Sequence, residues 1–384
     1  MADIGLNQQI SPDSSAREFH IQTATLVDEG LIRTEVFERG RLLFVENYRY
    51  ERRNPTQNQG AEGRLRRLVE QFHRSIIEEI DSLFEISERV IQEENPTPNE
   101  KLARVFLSMH IFDKAEAHFK RAIEVDPGRH SSYIYLGKCY YLQKRYNQAV
   151  ETLSQLLNKG VRFPDLYNLM GLIMMDRGNY WQSFHHYKEA LKLNPAYIEA
   201  YFNLAEAILK RMTSSRADIP EQEVRKSIDF LRIILRKIDN FGNIQDRKQS
   251  NMIAKALMQL SVPKALNLIH EYREKQYIRR IPPEIIGYKF YLRLIYGREE
   301  MSAEVLENYE QQLSKALEAN PSYPDLWHYL ALIHLMQCRY FFLKGLENFQ
   351  DATRINPHFE KALKNLRLVE NDGREFMALI KTIV

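Results

Sequence analysis

Cysteine is scarce in this chain, and so is every feature that usually betrays catalytic chemistry. Only two of its 384 residues are cysteines, Cys139 and Cys338. That excludes a disulfide framework; both read as reduced, small hydrophobic residues, which fits a reducing compartment. No apolar run approaches the roughly 20 residues needed to span a bilayer, so membrane insertion is not expected. The opening MADIGLNQQISPDSSAREF has neither a basic n-region nor an apolar h-region, so a cytoplasmic location is expected. A dominant charge sign is missing too: 54 Lys and Arg stand against 51 Asp and Glu, a net charge of +3. That balance argues against nucleic-acid binding driven by global charge. There is no Gly-rich phosphate loop, no His-Glu-x-x-His, no Cys-x-x-Cys and no Ser between the glycines of a nucleophile elbow. His185 and His186 are adjacent, but neighbours on a helix point about 100° apart and cannot chelate alone. No catalytic residue, metal site or cofactor is expected, and the chain does not read as an enzyme.

What the sequence does have is a repeat. Gly137 and Gly171 lie 34 residues apart, and around them Tyr133 matches Tyr167, Leu136 matches Met170, Tyr146 matches Tyr180 and Leu153 matches Tyr187. One period earlier, Ala115 and Phe119 take the places of Ala149 and Leu153. Small residues at such positions let two helix backbones approach, and large ones fill the space between. Pro127 and Pro195 follow the second helices and stop them. A unit of this kind cannot bury its apolar face alone and must stack on a neighbour.

On these residues the chain resembles the tetratricopeptide-repeat family, whose unit is a helix–turn–helix of about 34 residues. The resemblance is strong over 96–210, looser over 284–357 and absent before about 95. It implies a mainly α fold, an α-solenoid of helix–turn–helix repeats, acting as a protein-binding scaffold. Units are expected at 96–127, 130–162 and 163–195. A fourth begins at 196–210, with its second helix at 221–238 delayed by an insertion centred on 213–220. Regular repeats therefore span 96–238, and 246–384 reads as degenerate helical pairs and capping helices. Among these, 324–357 is expected to be a two-helix repeat, followed by separate short helices at 359–369 and 374–383.

The family does not account for the N-terminal part. Residues 1–17 are polar and read as a disordered tail. Over 18–50, Phe19, Ile21, Thr23, Thr25 and Val27 alternate with their neighbours, and Gly30 and Gly40 mark turns. A small three-stranded antiparallel β-meander follows from that pattern. Three strands need a cover. After a loop at 51–63, residues 64–92 carry Leu65, Leu68, Val69, Phe72, Ile76, Ile80, Leu83, Phe84 and Val90, mostly at three- and four-residue steps. They predict one long helix that packs on the meander, caps the solenoid or pairs with a second copy.

The resemblance also implies where a ligand lies. First helices line the family's concave groove, and the contact positions carry over to Ile134, Lys138 and Tyr141, to Asn168, Leu172 and Met175, and to Phe202, Glu206 and Leu209. Relatives that grip a C-terminal carboxylate place several Lys, Arg and Asn there; here only Lys138 and Asn168 fit that clamp. A mostly apolar groove suits an amphipathic helix or extended segment of a partner protein. Alternatively, the chain fills its own groove with part of residues 1–92. In the meander, Leu42, Leu43, Phe44 and Val45 are candidates for strand pairing or docking, including homodimerisation. Three readings stay open: an adaptor or scaffold, a structural subunit of a larger cytoplasmic assembly, and an RNA- or DNA-associated regulator using the clusters at Arg52-Arg53, 64–67 and 273–280.

Overall fold

The computed structural model describes residues 4–12, 17–50, 61–214, 220–278, 281–298 and 301–383. The chain divides into two compact units: residues 1–118 with 282–384, and residues 119–281. The expected loop at 51–63 falls largely on residues outside this description, as do Arg52-Arg53, Arg279-Arg280 and the middle of the insertion.

The discontinuous unit contains an antiparallel sheet of strands β1 (Gly5–Ile10), β2 (Phe19–Leu26), β3 (Leu31–Glu38) and β4 (Arg41–Arg49), in that spatial order. Four described strands replace the expected three. The correction falls in the stretch read as a disordered tail, where Gly5 to Ile10 pair with Ala24 to Phe19. GLNQQI has no apolar alternation, and the strand is largely exposed. Backbone hydrogen bonds to β2 hold it, and they leave no trace in side-chain pattern. In β2 the alternation is visible because Phe19, Ile21, Thr23 and Thr25 all turn inward.

Helix α1 (Ala61–Val90) lies against β1, β2 and β3. Its buried stripe includes Leu65, Val69, Phe72, Ile76, Ile80 and Leu83, and Phe84 meets Phe19 edge-on with ring centroids 5.6 Å apart. Helix α2 (Pro96–Ser108) starts at Asn95, whose side chain accepts from the Thr97 amide at 2.9 Å. Helix α3 (Phe112–Val125) follows.

Beyond residue 281 the same unit resumes with α12 (Glu284–Tyr296), α13 (Ala303–Ala319), α14 (Pro324–Ile355) and α15 (Glu360–Ile383). Two expectations are corrected here. The repeat expected at 324–357 is one uninterrupted helix, and the two short terminal helices are one as well. No proline or turn dipeptide breaks 324–355, and the family's usual hairpin does not override that local preference. In α15, Asn371-Asp372-Gly373 looks like a break, yet a Cβ on Gly373 would collide with the Phe342 ring. That glycine serves close helix approach and not a turn.

The continuous unit contains α4 (His130–Leu142), α5 (Tyr146–Asn158), α6 (Pro164–Asp176), α7 (Tyr180–Leu193), α8 (Ile198–Ser214), α9 (Glu221–Phe241), α10 (Ile244–Met258) and α11 (Val262–Arg273), closed by a π-helical turn, Glu274–Ile278. The repeat positions meet in space. A Cβ on Gly137 would lie 2.7 Å from Leu153, and one on Gly171 2.5 Å from the Tyr187 ring. The turn between the two helices recurs as well. His110, Lys144 and Gly178, each 34 residues on, all have left-handed φ, at 57°, 59° and 77°. In each, the following amide reaches back five residues, from Ile111 to Phe106, Arg145 to Tyr140 and Asn179 to Met174, at 2.8–2.9 Å. That is the Schellman helix stop. Leu260, at φ 53°, stops α10 with the same bond from Ser261 to Ala256 at 3.0 Å.

Candidate protein-binding surfaces

The three sets of expected groove residues lie on α4, α6 and α8, and their burial rises along the series. Ile134, Lys138 and Tyr141 are half-buried; Asn168, Leu172 and Met175 are buried; Phe202, Glu206 and Leu209 are wholly so. The cause is the chain itself. Helix α11 packs on α8, and its Tyr272, with Tyr277 of the π turn, closes over Phe202 at centroid distances of 5.0 and 6.1 Å. Both tyrosine hydroxyls donate to Asp246 Oδ1, at 2.7 and 3.0 Å. Asp246 is fixed in turn, because it forms the capping box of α10 with Asn243. Phe202, Glu206 and Leu209 are therefore closed to a partner in this conformation. The occupant of this end of the groove is 262–278, which sequence reasoning did not consider.

Polar residues lock the contact. Arg273 is buried and its guanidinium bonds the Asn203 side chain and Glu206. Glu206 also meets Lys210 at 3.0 Å and His270 at 3.1 Å. The chain of amides continues inward: Asn203 donates to Asn168 at 2.7 Å, and Asn168 donates to Glu199 at 3.0 Å and to the Tyr197 hydroxyl at 3.3 Å. Burial raises the Glu199 carboxyl, against the pull of Lys138 and Arg273. Nearer the open end, Tyr141 donates to Asp176 at 2.9 Å. Lys138 and Asn168 thus face internal acids, which is the arrangement of a structural ladder and not of an empty carboxylate clamp.

The same contacts engage two members of the 273–280 cluster, of which Arg279-Arg280 lie outside the described residues. Arg273 is spent on Glu206 and Tyr277 on Phe202 and Asp246, so neither stands ready to stack on a base or reach a phosphate. In 64–67, Arg64, Arg66 and Arg67 are exposed at the start of α1 while Leu65 turns inward, as on an ordinary solvated helix face.

Strand β4 is an edge of the sheet, but its apolar run is mostly used inside. A bulge sets Val36 opposite Phe44 and Phe37 opposite Leu42, leaving Leu43 extra. Leu43 and Phe44 are consequently both buried, Val45 is half-buried, and Leu42 alone of the four is exposed, at 47%. A bulged edge is a poor template for strand addition.

A second surface was not anticipated. Trp181 and Phe184 of α7, Ile208, Arg211 and Met212 of α8, and Lys226 and Phe230 of α9 line a cleft of about 260 Å³. Trp181 is 67% exposed, with the Arg211 guanidinium 4.1 Å from its ring centroid. The sequence signal was available: Phe230, Ile233 and Phe241 share a face of α9 about 110° round from its core stripe.

Cys139 is buried, Cys338 is exposed, and both are free thiols. Among the described residues, no group of three or more His, Cys, Asp or Glu is placed to hold a metal ion, and no helix is long and apolar enough to cross a membrane.

Compared with known families, residues 107–173 match the model described as Tetratricopeptide repeat and residues 171–210 the one described as TPR repeat. No curated protein matches the chain. Among solved structures it is similar to YrrB, described as a TPR protein with an unusual peptide-binding site, at 16% identity over 62% of this chain and 92% of that one, TM-score 0.29. It is also similar to a thermophilic TPR protein of Thermus thermophilus, TTC0263, at 19% identity over 54% and 99%, TM-score 0.31. Yeast Tom70 aligns at 16% identity over 85% of this chain and 67% of its own, TM-score 0.34.

Proposed function

Because its residues 107–210 make this chain a tetratricopeptide-repeat protein, we propose that it is a non-enzymatic scaffold that holds a partner's segment on the first-helix face at α4. Tetratricopeptide repeats generally mediate protein–protein interaction, and the finer assignment rests on one observation: the graded burial of that face. Its α8 end is filled by 262–278, whereas Ile134, Lys138 and Tyr141 on α4 remain partly open. An apolar side chain beside a cation and a phenol suits an amphipathic helix or extended peptide. The segment 262–278 sets one end of the space such a peptide can occupy. The test is affinity capture from the native lysate with the full chain beside an Ile134→Glu/Lys138→Glu variant, with mass spectrometry of both eluates. The expected result is a protein recovered with the parent and lost with the variant, while circular dichroism stays helical. Identical eluates overturn the assignment to this face.

A further inference from the structure

Helix α9 carries two apolar stripes where a surface helix needs one. Leu231, Ile234, Leu235 and Ile238 are buried in the unit, against α8 and α10. On a flanking face Lys226, Phe230, Ile233, Lys237 and Phe241 follow one another at steps of four, three, four and four residues, which keeps them together. Phe230, Ile233 and Phe241 are 37%, 51% and 46% exposed. Solvent-facing positions of a globular helix are ordinarily polar, and a contiguous apolar line there marks a contact surface. At its N-terminal end the line runs into the Trp181 cleft, which Phe230 shares.

The charge along this line has one sign. Lys188, Lys226, Arg236 and Lys237 are exposed, with Lys188 over the Phe230 ring and Lys237 over the Phe241 ring, each 5.9 Å from the centroid. The nearby carboxylates are engaged: Glu223 with Arg211 at 2.6 Å and Asp229 with Arg232 at 3.0 Å. We propose that the outer face of α9 and the Trp181 cleft form a docking site for an acidic amphipathic helix of a partner protein. That helix sets one large apolar side chain between Trp181, Phe184 and Phe230, and its carboxylates meet Lys188, Lys226 and Lys237. The line from Lys226 to Phe241 extends about 22 Å, which is about four turns of a partner helix. A half-open cleft walled by aromatic rings takes a single anchoring side chain, as peptide interfaces do, and a flat bilayer or a phosphate backbone supplies none. The site lies on other helices than the α4 face and stands whether or not that reading holds.

The chain has two tryptophans, so a Trp327→Phe background leaves Trp181 as the sole indole. A displayed library of helical peptides of about 16 residues, lacking Trp, is selected on this full-length protein, and enriched peptides are titrated by Trp181 emission and by anisotropy. The expected outcome is enrichment of acidic helices with one large apolar anchor, whose binding shifts Trp181 emission and weakens with salt. Phe230→Ala, and separately Lys226→Glu/Lys237→Glu, should each weaken binding about tenfold with melting temperature unchanged. Enrichment of neutral or basic peptides, binding that leaves Trp181 silent, or indifference to both variants overturns the proposal. So does a Trp181 shift given by vesicles of equal parts phosphatidylcholine and phosphatidylserine but by no selected peptide, which would assign the face to a membrane surface. Concentration-dependent self-association abolished by Phe230→Asp would overturn it as well, by assigning the face to a second copy.

Discussion

The two units each bury an ion pair around one glutamate, and they do so at very different distances along the chain. In the continuous unit Glu206 and Arg273 are 67 residues apart, and Glu206 keeps two further partners, Lys210 and His270. In the discontinuous unit Glu79 of α1 pairs with Lys289 of α12 at 2.8 Å and accepts from Tyr309 of α13, 230 residues away, at 2.8 Å. Lys289 is the shared cation, since Glu46 of β4 also meets it at 2.8 Å. Burial alone would push Glu79 up and Lys289 down; the Lys289 and Arg293 charges hold Glu79 low, and Glu46 and Glu79 hold Lys289 high. Closing the longer loop costs only about 1 kcal/mol more than closing the shorter one. The difference that matters is redundancy: Glu206 has partners to spare, whereas Glu46 and Glu79 meet on the one cation Lys289, with Arg293 adding its charge at Glu79.

Substituting the cations tests that contrast most directly. Lys289→Met removes the cation shared by buried Glu79 and half-buried Glu46 and should cost about 3–5 kcal/mol. Arg273→Met leaves Glu206 with Lys210 and His270 and should cost about 2 kcal/mol. It should also loosen 262–278 and expose Phe202, seen as faster proteolysis there. Trp327 lies in the first unit and Trp181 in the second, so single-tryptophan variants follow each unit through urea. Lys289→Met should move only the Trp327 midpoint and Arg273→Met only that of Trp181. Equal movement of both would mean that the units unfold as one and the contrast is void.

A smaller effect separates the units by pH. His118 is buried between Ser87 and Asn99, at 2.8 and 2.7 Å, and burial, aided by the Lys114 charge, pushes it down to about 3. Burial also lowers His73, which meets Thr23 at 2.8 Å. A histidine lowered in the folded state binds its proton mainly after unfolding. Stability is therefore full above the unfolded value of about 6.5 and falls as pH drops from there towards 3. At pH 5 the loss from His118 should be about 2 kcal/mol, read at Trp327. His118→Gln should flatten that slope; an unchanged slope would remove His118 as its cause.

Much of the continuous unit was legible because its architecture is local. Gly137, Gly171, Ala149 and Ala190 recur where helices touch, and the large residues facing them recur in step. What escaped reading depends on partners remote in sequence or on backbone alone. Strand β1 has only Leu6 and Ile10 on its inner face, with Gln8 between them, so no continuous period betrays it. The docking of 262–278 depends on Arg273 finding Glu206, and nothing in REKQYIRR separates a buried arginine from a solvated one. Of the candidate groove residues, their helix and face were readable, but not which of them the chain covers itself.

The recurring helix stop was missed for a related reason: two of its three left-handed residues are not glycine. A lysine at φ 59° holds its Cβ against the following carbonyl, whereas Gly178 at 77° does not. The Lys144 side chain is exposed, so replacing it removes no packing. Lys144→Gly should stabilise the continuous unit by about 0.5–1 kcal/mol, the relief of that contact exceeding the added entropy of an unfolded glycine. Gly178→Ala should destabilise it by a similar amount. Both are small shifts of the Trp181 midpoint in urea, opposite in sign. Equal midpoints for parent and Lys144→Gly would show that the lysine turn carries no strain, and that its repeat differs from the next in residue type only.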